Sequence, residues 1–389
     1  MISSLEKAPL PADGIGEELA ELRAGIDAVD SEIQRLLNMR AEFSVKTGRL
    51  KAATGAPVFH PDREQALLAA LEARNTGPLP ALHLRAIYGE ILSSSRALQE
   101  PLRVAFLGPE GTFSHMAARE YFGSAMTYEA KATLHDVFDA VEKGDSDLGM
   151  VPLENSLNGS VGQSLDLFTS HRNAHVQAEW ISRIRLSLMS GAGSLAEISV
   201  IYSHPQALGQ CSLWLRENLP LARQVQVEST AAAAHRAVAE AGSAAVGHAG
   251  IAPNLGLRVL ASGIEDTADN WTRFFIIGPR PADSAGANRS SLVFALADQP
   301  GSLAAVLNAF ATPKINMSKL ESRPMRHERW KYLFFADVDC NLAHPAHASL
   351  LETVRSHCHS VRVIGSYLSA VREGDHANDR PRGHTNDQV

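Results

Sequence analysis

Residues 22–65, LRAGIDAVDSEIQRLLNMRAEFSVKTGRLKAATGAPVFHPDREQ, decide how the chain begins to fold. With Leu19 ahead of them, Leu22, Ile26, Val29, Ile33 and Leu36 recur at alternating steps of three and four. That spacing is the seam of a long helix that packs against other helices. The pattern begins at Glu17 and reaches about Ala53, where Thr54-Gly55 stops it. Pro61 suits the first position of a second helix, and Asp62 complements its dipole. That helix ends near Asn75, ahead of Gly77-Pro78, and a third runs from near Pro80 to before Pro101. Residues 17–100 are therefore an all-α domain. One long helix cannot cover its own apolar stripe, so an intertwined homodimer or a higher homo-oligomer is expected.

After Pro101 the grammar changes to alternating strands and helices. Arg103–Leu107 reads as a buried strand, Gly108-Pro-Glu-Gly111 as a turn and Thr112–Phe122 as a helix. Further strands are read at Leu148–Leu153, Ile198–Ser203, Gln224–Glu228, Ala244–His248 and Thr272–Ile277, with helices opened by Pro205 and over Ala231–Ala241. This alternation implies mostly parallel sheets with polar loops at the carboxyl ends of the strands. Residues 101–279 suffice for two lobes with a cleft between them. Pro279–Arg289 reads as a linker. Residues 288–372 then follow a βαββαβ order, the α+β ferredoxin-like pattern. Residues 1–16 and 373–389 lack apolar periodicity and are expected to be flexible tails.

The 389 residues suit several domains, and the net charge of −7 disfavours a nucleic-acid partner. Cys211, Cys340 and Cys358 show no C-x-x-C spacing, so reduced thiols and no metal site are expected. The first residues lack the pattern of a signal peptide, and no apolar run is long enough for a membrane span. A cytoplasmic setting is expected.

Several residues stand out chemically. Arg40 and Lys51 lie about 16 Å apart along one helical face, whereas Arg23 is about 25 Å from Arg40, so one small anion reaches both only across subunits. Ser95 and Gln99 share a face of the third helix. On pattern alone, these residues read first as ordinary surface residues of charged helices. Gly108–Ser114 opens a helix whose amides suit a carboxylate, and it lacks nucleotide-loop spacing. Glu154-Asn155-Ser156, Ser203–Gln206 with Gln210, Glu228–Thr230 and Asn270–Phe274 also fall at element ends. Each suits a cap or turn; together they favour a cleft for a small polar anion. His115, His204, His235 and His248 match no common zinc spacing and read as structural or surface residues.

The segment 22–65, with ILSSSRALQ at 91–99, resembles the all-helical chorismate mutase family over nearly all of residues 17–100. The resemblance implies that Arg23 of a partner chain, Arg40 and Arg63 supply positive charge, and that Lys51 and Gln99 meet the ether oxygen of chorismate. It further implies that Glu64 accepts from the ring hydroxyl and that Ser95 contacts a carboxylate or that hydroxyl. His60 stands where some members carry an acid. GPEGTFSHMAA, VPLENSLNGSV, YSHPQALGQC and NWTRFFIIG resemble prephenate dehydratase, a two-lobed α/β fold like periplasmic binding proteins, across about 103–279. There the resemblance makes Thr272 the key hydroxyl, and Asn155, Ser156, Ser203, Gln210 and Thr230 substrate ligands. Arg273 points the other way along the strand and suits an internal ion pair.

The C-terminal region resembles ACT domains. Gly301, Ser302 and Leu303 at a helix start, with Glu321-Ser322-Arg323-Pro324, would frame L-phenylalanine. The expected activity is therefore chorismate to prephenate and prephenate to phenylpyruvate, without cofactor and with feedback inhibition by L-phenylalanine. The alternatives are an arogenate dehydratase and a non-catalytic amino-acid-responsive binding protein.

Overall fold

The computed structural model describes residues 15–282, 285–296, 299–324 and 332–370. Of the tails expected at 1–16 and 373–389, residues 1–14 and 373–389 lie outside the described residues, whereas Ile15 and Gly16 open the first helix. The described residues form two compact units, one of residues 15–58 and 94–101, the other of residues 59–93 and those described between 102 and 370.

Helix α1 spans Ile15–Thr54, starting two residues before Glu17, and α2 (Pro61–Arg74) and α3 (Ala81–Gln99) follow. In the smaller unit, α1 and the end of α3 approach closely at Gly48. A Cβ there would lie 2.7 Å from the Gln99 Cα. The seam residues are open in the single chain: Leu22, Ile26 and Val29 are 60%, 59% and 58% exposed. In the larger unit, Phe59 packs on Tyr121 and Phe122.

The first lobe holds β1 (Arg103–Leu107), α4 (Phe113–Phe122), β2 (Thr127–Lys131), α5 (Leu134–Lys143), β3 (Leu148–Asn155), β4 (Gly159–Ser160), α6 (Gly162–Ser170) and β5 (His175–Arg183). The second holds β6 (Ser187–Ser190), β7 (Val200–Ser203), α7 (Pro205–Gln210), α8 (Ser212–Asn218), β8 (Arg223–Gln226), α9 (Thr230–Ala239), β9 (Ser243–Gly247) and β10 (Arg258–Ser262). The chain then returns to the first lobe through β11 (Trp271–Gly278). The sheets run β2-β1-β3-β11-β5, with β4 beside β3, and β10-β6-β9-β7-β8.

The expectation of mostly parallel sheets is corrected here. β1–β2, β1–β3, β7–β8 and β7–β9 are parallel. β3–β11, β5–β11, β6–β9 and β6–β10 are antiparallel. The physical reason is the return path. β11 re-enters the first sheet from the other lobe rather than through a crossover helix, so it inserts between β3 and β5 against their direction.

The last region comprises β12 (Arg289–Leu296), α10 (Ser302–Ala311), β13 (Met317–Pro324), β14 (Tyr332–Val338), α11 (Ala348–Ser356) and β15 (Cys358–Tyr367). Its antiparallel sheet runs β13-β14-β12-β15, the ferredoxin-like order. One sheet face packs on α10 and α11 through Phe294, Val306, Phe310 and Val354. Val293, Phe335, Ile364 and Tyr367 share a core with Phe138, Phe168 and Phe275 of the first lobe. Each fully buried phenylalanine there contributes roughly 1.5–3 kcal/mol. β15 lies so close to β5 that a Cβ on Gly365 would strike the Val176 backbone.

Candidate functional site

In the smaller unit, Arg40 donates to the Ser95 hydroxyl, and Lys51 Nζ donates to the Val58 carbonyl at 3.1 Å. Gln99 Nε2 donates to the Ser95 carbonyl at 3.1 Å, while its buried Oε1 has no hydrogen-bond partner among the described residues. Arg40, Ser95, Lys51 and Gln99 thus bring cationic and amide groups to one helical unit. Arg23 is exposed two turns and more up α1. His60 precedes α2, and Arg63 and Glu64 lie in its first turn.

The larger unit holds a cleft of about 520 Å³ between its two lobes. The chemistry-bearing ends of β3, β7, β11, α4 and α9 converge on it. Thr272 and Asn155 are direct partners across β11 and β3. Asn155 Nδ2 shares its two hydrogens among Asn270 Oδ1 at 2.8 Å, Thr272 Oγ1 at 3.0 Å and the Trp271 carbonyl at 3.1 Å. Its Oδ1 accepts from the Asn158 amide groups at 2.7 and 3.1 Å, which fixes the orientation of the Asn155 side chain. With a donor already on its oxygen, the Thr272 hydroxyl is left to donate its own hydrogen.

Thr112 caps α4 and Ser229 caps α9, so both helix N-termini face the cleft. Their first amides and positive dipole ends favour an anion. Among the described lining residues there is no Lys or Arg, and Glu228 is the one carboxylate. Its polar lining is mostly neutral donors and acceptors, among them Ser114, Asn158, Ser160, Gln206, Gln210 and Thr230, set among apolar residues such as Phe113, Ile184 and Phe274.

The sequence-derived ligands divide. Asn155, Gln210, Thr230 and Thr272 line the cleft together. Ser203 does not: it is wholly buried, and its hydroxyl donates to the Val246 carbonyl at 2.7 Å. Ser156 is exposed beyond the cleft lining, bonded to the Asp269 carbonyl and the Trp271 amide at 3.0 Å each. It holds the loop after β3 against the start of β11. Asn158 and Ser160 were missed as candidates. Their signal lies in the polar run NSLNGS at 155–160, which turns back as the short β4.

Arg273 faces away from the cleft, as strand alternation requires. Its guanidinium bonds Glu179 at 2.6 Å, the Tyr367 hydroxyl at 3.0 Å and the Asp337 carboxylate. Burial works to lower its pKa, but Tyr367, Asp337 and Glu179 outweigh that and hold it raised. Burial lowers the pKa of His115, which stacks on Phe106 and accepts from the Gly111 amide at 2.9 Å. It braces the turn ahead of α4. Burial likewise lowers His248, whereas His204 lines the cleft and His235 is exposed.

In the C-terminal sheet, Gly301 adopts φ 86° at the start of α10, and Ser302 bonds the Gln299 carbonyl. Leu303 packs into the core beneath α10. Along β13 the side chains alternate: Lys319, Glu321 and Arg323 are half-buried, Ser322 and Pro324 exposed. Arg323 donates twice to Asp166 at 3.1 Å.

Among the described residues, His135, Asp139 and His171 form the one trio spaced for a metal, with ligand atoms within 4.8 Å. Asp139 already accepts from Lys143 and from His171 at 3.0 Å. Those two partners hold its carboxyl below the usual range. An ion-pair cluster accounts for the trio.

Residues 22–100 match the family model of chorismate mutase type II, and residues 104–282 that of prephenate dehydratase. A bifunctional chorismate mutase/prephenate dehydratase of Aquifex aeolicus is 36% identical over 91% of this chain and 99% of its own length. The structure of a prephenate dehydratase from Arthrobacter aurescens in complex with L-Phe is 33% identical, with a TM-score of 0.63 over 69% of this chain and 92% of that one. A structure described as a novel type of quorum-quenching acylase, GqqA, is 28% identical over 69% of this chain and 98% of its own, also at a TM-score of 0.63.

Proposed function

The chain belongs to the bifunctional chorismate mutase/prephenate dehydratase family, and on that premise we propose how its two sites divide the work. The helical unit rearranges chorismate to prephenate, and the cleft of the larger unit converts prephenate to phenylpyruvate, water and CO2. A 28% likeness to an acylase names other chemistry on a related scaffold. The dehydratase family model spans residues 104–282, the whole of the two lobes, and favours dehydration.

The rearrangement is pericyclic and needs no nucleophile or cofactor. Its transition state gathers negative charge on the breaking ether oxygen. Lys51 and Gln99 supply the N–H donors for that oxygen, and Arg40, steadied by Ser95, pairs with a substrate carboxylate. The exposed stripe Leu22-Ile26-Val29 supports an intertwined homodimer, with Arg23 reaching the site of the opposite subunit.

In the cleft, Thr272 donates a hydrogen bond to the ring hydroxyl as its carbon–oxygen bond breaks, and the departing hydroxide takes a proton from solvent to leave as water. The ring carboxylate leaves as CO2, and its electron pair completes the aromatic ring. The amides opening α4 hold the pyruvyl carboxylate. A cleft lined by neutral donors does not clamp the departing carboxylate, so decarboxylation loses no ground-state stabilisation. The hydrogen bond from Asn155 into Thr272 Oγ1 carries this reading, because it frees the threonine proton for the substrate. Gln210 and Thr230 contact the substrate from the second lobe. L-phenylalanine binds the C-terminal sheet near Gly301–Leu303 and Glu321–Pro324 and inhibits the dehydratase, which requires different affinity for two conformations.

One experiment tests the whole reading. Chorismate is added to purified protein, and prephenate and phenylpyruvate are followed with and without L-phenylalanine. Phenylpyruvate is expected, and the amino acid should slow its appearance. Accumulating prephenate alone would refute the assignment of the cleft, and arogenate consumed in preference to prephenate would change its substrate.

A further inference from the structure

The cleft and the C-terminal sheet meet on opposite faces of the same strand pair. Asn155 and Thr272 face each other across β3 and β11, and Glu154 and Arg273 are the adjacent pair. Alternation sends the first pair to the cleft and the second to the other face, where the C-terminal sheet lies. Both members of the second pair are held by that sheet. Arg273 bonds Asp337 and Tyr367, and Glu154 accepts from Lys319 Nζ at 2.8 Å.

Lys319 makes a second bond. Its ammonium donates to Ser160 Oγ, also at 2.8 Å, and its side chain is 13% exposed. Ser160 lines the cleft. Ser160 is the partner of Glu154 across β3–β4, so its hydroxyl shares the face of Glu154 and is held there by the same ammonium. The positive charge stands one hydroxyl away from a cleft whose described lining has neither Lys nor Arg. Glu154 and Ser160 are themselves partners in the β3–β4 register, so one ammonium fixes both sides of the hairpin that carries Asn155 and Asn158.

We propose that Lys319, a residue of the C-terminal sheet, is a positioning residue of the dehydratase site. It holds the β3–β4 hairpin, and with it Asn155 and Asn158, in register with Thr272. The proposal deepens the dehydratase reading and rests on it. It also gives the effector region a direct hold on the cleft. Lys319 lies two residues from Glu321 on the same face of β13, with the two charges 3.5 Å apart. A ligand that moves Glu321 therefore competes with Glu154 and Ser160 for one ammonium.

The test compares wild type, Lys319→Met and Lys319→Arg as full-length proteins. For each, dehydratase kcat and KM with prephenate, the L-phenylalanine concentration giving half-inhibition, and mutase activity with chorismate are measured. Circular dichroism and the melting point of each variant report on folding of the larger unit, and the mutase rate reports on the smaller one. In Lys319→Met, KM should rise about 10-fold while kcat changes less, and half-inhibition should shift at least about fivefold. The mutase rate should stay within about twofold of wild type, and Lys319→Arg should recover most of both losses. A Lys319→Met protein with wild-type KM and wild-type half-inhibition would overturn the proposal. So would a raised KM with an unmoved phenylalanine response, which would reduce Lys319 to a local brace. Absence of dehydratase activity in the wild type would instead refute the reading of the cleft itself.

Discussion

The smaller helical unit and the larger α/β unit differ in how much of a site one chain holds. In α1 the residues that should be a core, Leu22, Ile26 and Val29, are more than half exposed. In the larger unit the cleft is enclosed by both lobes of the same chain, and the cation beside Thr272 is fully engaged by Glu179, Asp337 and Tyr367. On the proposed dimer, the first site is completed by association and the second by folding of one chain. Mutations in the two regions should therefore separate cleanly.

The largest separation is expected from Lys51→Met. On the role proposed for Lys51 at the ether oxygen, removing its ammonium should lower mutase kcat about a thousandfold, with dehydratase turnover of prephenate unchanged. Parallel losses in both assays would break the comparison. Arg273→Met attacks the other side. It leaves Asp337 buried without its cation and Glu179 with Arg289 as its remaining cation, at a cost of about 3–5 kcal/mol in stability. Thermal or denaturant unfolding followed through the larger unit measures it, and an unchanged midpoint would contradict the account of that network. Val29→Lys places a charge on the open stripe. It should shift the protein toward monomer in sedimentation and lower mutase activity about a hundredfold, while the dehydratase survives.

A smaller effect concerns pH. Burial lowers the pKa of His115, His175 and His248, all in the larger unit. For a histidine whose folded pKa is depressed, the unfolded chain binds protons first. The stabilisation is complete above the unfolded pKa of about 6.5 and is lost as pH falls through the folded values. Melting of the larger unit should therefore drop by a few degrees between about pH 7 and pH 5. A melting point that rose over this interval would contradict those buried, neutral imidazoles.

The helices were legible because their signals are local. The three–four spacing set α1 to within two residues at its start, and the helix Ser302–Ala311 was read to its ends. The lobes were legible as alternating strands and helices, but their direction was not. Whether β11 enters parallel or antiparallel depends on the route the chain takes back from the second lobe, which no local pattern encodes. β4 is two residues long and has no period to read.

At the site, the polar clusters at element ends marked the cleft, yet they did not show which side chain of each run faces it. In Val200–Ser203 all four residues are buried, so Ser203 serves the interior while Gln206 and Gln210, on the helix that follows, reach the cleft. Ser156 and Asn155 are neighbours, but only Asn155 turns inward. Lys319 could not be connected to the cleft from sequence, because 159 residues separate it from Ser160.

The most direct measurement is the steady-state turnover of prephenate by Thr272→Val. The substitution keeps the shape of the side chain and removes the proton that Asn155 leaves free. The account predicts a fall in kcat of about 100- to 1000-fold with KM little changed. A kcat equal to that of the wild type would contradict it.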